Sequence, residues 1–127
     1  MSVGDNLAGV RAEIEIAAKA RGRDPKEIKL VAVSKTVSPE LIAEAIAAGA
    51  DTLGENRVQE ALAKQDLLPK VSWHLIGHLQ TNKVRQVIGR FDLVHSLDRL
   101  RLAQELGRRS KAAVLVTTTL VQVNVGQ

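Results

Sequence analysis

The chain has 127 residues, 45% hydrophobic and 25% charged, and carries a net charge of +4 from 18 Lys and Arg against 14 Asp and Glu. That suits one domain with a real core but falls short of a complete eight-stranded (β/α) barrel, which takes about 250 residues. With no Cys, no Tyr, one Trp and one Phe, a disulfide framework and a thiolate metal site are excluded, and few rings are left for stacking on bases.

The basic residues are scattered among acidic ones, so the charge excess reads as solvated surface and no nucleic-acid partner is expected. A mild positive field still favours an anionic ligand such as a phosphate ester. No basic segment followed by an apolar run opens the chain, and no apolar stretch approaches about 18 residues. The expectation is a cytoplasmic protein without membrane contact.

The first predicted element is an amphipathic helix, with Leu7, Val10, Ile14 and Ala17 at helical spacing, Asp5 or Asn6 as its cap, and Gly22 and Asp24-Pro25 at its end. Ile28 to Lys35 then reads as a buried strand. Ser38-Pro39-Glu40 starts a helix with a cap, a proline at the first position and an acid on the positive dipole end; Gly49 stops it. The alternation continues with a strand at Thr52–Gly54, a helix from Val58 to Leu68, a strand from Ser72 to Ile76 and a helix from Asn82 to Ile88. A strand at Leu93–His95 follows, then a helix through Leu102 and Leu106 capped by Ser96 or Asp98, and a strand from Val114 to Val125. Strict β-α alternation predicts parallel strands with right-handed crossovers in one domain over residues 1–127, either a partial barrel or an open doubly wound sheet.

Ligand sites in such folds lie at the carboxyl ends of strands. Lys35 ends the first strand. Alternation puts it on one side with Val31 and Val33, as a partly desolvated amine of the kind a Schiff-base lysine needs. A lysine that snorkels to water from a strand end is the plainer reading of that spacing alone. His74 and His78 are four apart, but Gly77 makes the segment strand-to-loop, so no metal site is expected. His74 reads as a hydrogen-bonding residue of the site or a satisfied core histidine. Glu55 is explained by a helix dipole, and Asn56 points over the mouth of a barrel or forms a plain helix entry. Neither a dinucleotide fingerprint nor a P-loop occurs.

Together LVAVSKT (Leu30 to Thr36), GENRVQE (Gly54 to Glu60), WHLIGHLQTNK (Trp73 to Lys83), VHSL (Val94 to Leu97) and VQVNVG (Val121 to Gly126) resemble the pyridoxal-phosphate homeostasis protein family, in order and over nearly the whole chain. The resemblance implies a (β/α) barrel of the alanine-racemase barrel type, of TIM architecture, represented here by about five strands and an extra N-terminal helix. It implies pyridoxal 5'-phosphate (PLP) as cofactor, held as a Schiff base on Lys35, with Asn56, His74 and Asn124 lining its ring. The implied role is to hold or deliver PLP in vitamin B6 homeostasis without catalytic turnover, since no second domain brings a base to the open face.

Two departures stand beside this likeness. The family continues for three to four further βα units, in which its phosphate-binding loops lie. The stretch from Lys111 to Thr119 also differs from the family's short connection. A half barrel is expected to expose strand edges and inner apolar surface, and so to self-associate, aggregate or represent part of a longer protein. The alternatives are a racemase-like PLP enzyme using Lys35, which the absence of Tyr disfavours, and an inert or engineered half barrel that no longer binds PLP.

Overall fold

The computed structural model describes residues 2–126. Five parallel strands, β1 (Ala32–Val33), β2 (Thr52–Glu55), β3 (Ser72–Leu75), β4 (Leu93–Leu97) and β5 (Thr119–Val121), form one sheet in sequence order. Helices α1 (Val3–Ala20), α2 (Pro39–Ala47), α3 (Val58–Gln65), α4 (Val84–Val87) and α5 (Leu100–Ala112) precede and connect them. An unbroken order β1-β2-β3-β4-β5 has no point at which the winding reverses, which is the order of a barrel and excludes the doubly wound sheet.

Local chemistry sets the boundaries. The cap of α1 is Ser2, earlier than the expected Asp5 or Asn6. The Ser2 hydroxyl accepts the Asp5 N–H and the Asp5 carboxylate accepts the Ser2 N–H, each at 3.1 Å. Asp24 and Pro25 do more than end α1: the Asp24 side chain accepts the Lys26 N–H and starts a separate 3-10 turn. Ser38 caps α2 as expected, accepting the Leu41 N–H. The expected cap of α5 on Ser96 or Asp98 is not made; Ser96 lies within β4, and Arg99 occupies the cap position without a capping bond from its side chain. The segment expected as one helix from Asn82 splits into a 3-10 turn over Thr81–Lys83 and a single turn of α4.

The two margins of the sheet are shorter than the sequence suggests. β1 keeps two of the eight residues from Ile28 to Lys35, because only Ala32 and Val33 find ladder partners on β2. β5 keeps three of the twelve from Val114 to Val125. The Thr-rich stretch that departs from the family pattern does join the fold: the Thr118 carbonyl accepts the Val94 N–H, and the Thr117 and Ser110 hydroxyls meet at 2.6 Å.

Register decides which face each side chain takes. Ala32, Leu53 and Trp73 are aligned and pack against helices with Ile42 and Ala61. A second cluster of Leu75, Val94, Val58, Leu79, Val84, Val87, Leu102 and Leu106 continues that layer. Phe91 packs against both clusters, so the lone Phe ties them together. Val33, Gly54 and His74 are aligned on the opposite face, the lumen side of a barrel. A Cβ on Gly54 would lie 2.9 Å from Val31 Cγ1 and 3.4 Å from Ile76 Cδ1, so glycine lets those two side chains close over it.

Candidate functional site

Because all five strands run the same way, the segments after their carboxyl ends share one rim. Lys35 and Thr36 form the turn after β1, Asn56 follows β2, and the loop from Gly77 to Gln80 follows β3. Lys35 is exposed, not partly desolvated as its strand pattern implied, and Val33 beside it is 51% exposed. Asn56 is half-buried. Its backbone is pinned by the next loop: a Cβ at Gly77 would lie 2.5 Å from the Asn56 carbonyl oxygen, so only glycine permits the approach. That loop is held in turn by Arg99, whose guanidinium donates to the Leu79 carbonyl at 2.6 Å and to Asp98 at 2.7 Å.

Behind Lys35, on the helix side, lies a charged network that sequence reasoning missed. Lys64 of α3 is buried. Its ammonium donates to the Ser34 carbonyl at 2.5 Å, to Glu55 Oε2 at 2.8 Å and to Glu60 Oε2 at 2.9 Å, which uses all three of its donors. Ser34 Oγ donates to the same Glu55 oxygen, and Glu55 is fully buried. Glu60 Oε2 also accepts the Thr36 N–H at 2.9 Å. Burial pulls the Lys64 ammonium down, but its bonds and charges with Glu55 and Glu60 outweigh burial and hold it above its ordinary value. The Lys64 hydrogen bond, followed by the Thr36 N–H, holds the Glu60 carboxyl below its ordinary value. The Glu60–Lys64 spacing of four was readable as a helix pair. The strand-end Glu55, explained by a dipole alone, gave no sign of its partner nine residues on.

Thr36 has φ +60°, left-handed backbone that costs a β-branched residue roughly 1–3 kcal/mol. Two local bonds hold it there: the Glu60 contact and its own hydroxyl donating to the Lys35 carbonyl at 2.6 Å.

His74 is buried in β3, and its Nδ1 lies 3.0 Å from Nε2 of His95 on β4. One of those nitrogens must carry the proton and the other must be bare. Burial first, then the His95 and Lys29 charges, lower the His74 imidazole below its ordinary value and favour its neutral form. His74 is thus a buried, hydrogen-bonded histidine on the lumen face. Asn124 is not brought to the other residues; it is exposed, beyond β5 at the margin opposite β1. Among the described residues no group of three or more His, Cys, Asp or Glu is close enough to hold a metal.

Residues 6–127 match the alanine racemase N-terminal domain. The chain belongs to that family. It is 44% identical over 126 residues to the pyridoxal phosphate homeostasis protein of Pseudomonas aeruginosa, covering 98% of this chain and 55% of that protein. It is 45% identical over 128 residues to the protein of the same name in Escherichia coli K12, covering 97% and 55%. The structure of PipY from Synechococcus elongatus with PLP bound superposes with a TM-score of 0.76 at 42% identity, over 88% of this chain and 54% of PipY. The chain thus spans about half the length of the relatives it matches. The expected alanine-racemase type of barrel and the five-strand extent both hold.

Proposed function

We propose that this chain contributes the cofactor-anchoring half of a pyridoxal-phosphate binding protein that serves intracellular vitamin B6 homeostasis. The observation that carries the reading is Lys35: an exposed amine at the barrel rim, after the first strand, in a turn held from behind, in a chain 42% identical to a protein with PLP bound. The donor set fits the cofactor. An accessible primary amine suits an aldehyde, and the half-buried Asn56 and the neutral imidazole of His74 suit a polar heteroaromatic ring. When bound, PLP would supply an electrophilic aldehyde and an electron-withdrawing ring, with Lys35 as the amine to hold the first and Asn56 and His74 beside the second.

The residues present favour holding over turnover. Lys35 supplies the attachment point. Val31 and Ile76, closed over Gly54, supply an apolar floor. The chain has no Tyr to serve as a proton carrier across the ring. Asn124, exposed beyond β5, is supported as a lining residue by the family resemblance alone. The sheet margins expose Val33, Val121, Val123 and Val125, and we propose that a second copy covers them; a light-scattering mass of a compact monomer overturns this.

The test of the cofactor reading is a visible spectrum of the purified chain with PLP, before and after borohydride, beside Lys35→Ala. The expected result is a visible band that borohydride bleaches while leaving the pyridoxyl group covalently on the chain, with neither band nor label in the variant. Equal labelling of chain and variant overturns it. Loss of an amino acid's α-hydrogen to solvent, abolished by Lys35→Ala, would favour the racemase-like alternative.

A further inference from the structure

We propose that Lys64, with Glu55 and Glu60, is a positioning device for Lys35, clamping the backbone on either side of it and so fixing where its amine points. This rests on the reading of Lys35 as the cofactor anchor.

The two clamps act on the residues that flank the anchor. The Lys64 ammonium takes the Ser34 carbonyl at 2.5 Å, and the Glu60 carboxylate takes the Thr36 N–H at 2.9 Å. A single oxygen, Glu60 Oε2, joins them, since it also accepts from Lys64 at 2.9 Å. Ser34 points to the helix side and is buried, while Lys35 is exposed. The network therefore grips the backbone through its buried side, while the Lys35 side chain stays in solvent.

Two observations separate this from a network that only stabilises the fold. A buried ion pair is a poor stabiliser compared with apolar packing, because its desolvation offsets its attraction. Here Lys64 uses all three of its donors on the network, while Glu55 Oε1 stays buried without a partner, so the pair is better explained by the geometry it fixes than by the stability it adds. Second, the clamped turn is the one that adopts left-handed backbone at a threonine, φ +60°. Left free, that backbone relaxes and carries Lys35 with it.

The experiment uses the full chain with Glu60→Ala and Glu60→Gln. Two quantities are read: amide hydrogen exchange at residues 34–37, and the rate at which PLP is fixed on Lys35 by borohydride, measured by peptide mass spectrometry. The second is divided by the rate of Lys35 acetylation by a small reagent, which reports access alone. In Glu60→Ala the Thr36 amide exchanges faster and the normalised PLP rate falls by about tenfold, the scale of a misplaced reacting group. Glu60→Gln keeps an oxygen for the Thr36 N–H and recovers most of the rate. An unchanged normalised rate in Glu60→Ala overturns the proposal, whether or not exchange quickens. A wild-type chain in which Lys35 is fixed no faster than other lysines overturns the anchor reading itself, which is a distinct result. Should Glu60→Ala lose its far-UV signal, the Glu55→Gln, Lys64→Met double variant removes the Ser34 clamp without leaving a buried charge, and the same two quantities decide.

Discussion

On the helix side of the sheet Leu53, Leu75 and Val94 are shut away from solvent, and even a lysine and a glutamate are drawn in and paired. On the lumen side at the β1 margin, Val33 is half exposed and Lys35 is free in water. Two lysines thus serve one turn from opposite sides: Lys64 behind it, with every donor used, and Lys35 in front. The difference teaches where order is invested. Packing and charge fix the backbone from one face, so that the other face can remain open to a ligand without losing its shape.

The largest way to break this contrast is Lys64→Met. It leaves the fully buried Glu55 without its cation, and we expect a loss of about 3–5 kcal/mol in urea unfolding. Adding Glu55→Gln should recover most of it. Gly77→Ala comes next: its Cβ meets the Asn56 backbone, which has no flexible end to give way, so about 1–3 kcal/mol is lost. Then comes pH. The folded His74 sits below its ordinary value of 6.5, so the unfolded chain takes up the proton first and stability falls as pH drops through that value. Urea midpoints at about pH 7.5 and about pH 5.5 should differ less in His74→Gln than in the parent. Val114, exposed and left-handed at φ +56° just past α5, is a smaller strain; Val114→Gly should raise the unfolding free energy by about 1 kcal/mol. Smallest is Lys35→Ala, which should stay within about 0.5 kcal/mol of the parent while abolishing PLP fixation.

The elements with partners on both sides were the ones legible in the sequence. β2, β3 and β4 lie within a residue or two of their expected bounds, because apolar runs between Gly and Pro signals report burial that is really there. The margins were overread for a physical reason: a strand is defined by its neighbour, and residues 28–31 and 122–125 have β-prone side chains without ladder partners. The place of Lys35 at the end of the first strand was legible, but its exposure was not, since desolvation depends on what covers a face. Asn56 lies at the rim and His74 on the lumen face, while Asn124 is exposed beyond β5. Glu55, Glu60 and Lys64 escaped notice because a buried ion network has no spacing of its own: one partner ends a strand and the others sit on the next helix.

The strand order carries a consequence for how the chain is made. Every strand pairs with its neighbour in sequence, so each new pairing closes a loop of one βα unit and none waits for a distant segment. The sheet can therefore be laid down unit by unit as the chain leaves the ribosome, each strand docking on the one before it. The Lys64 clamp fits that schedule, for it links the first strand's turn to the third helix before the later strands exist.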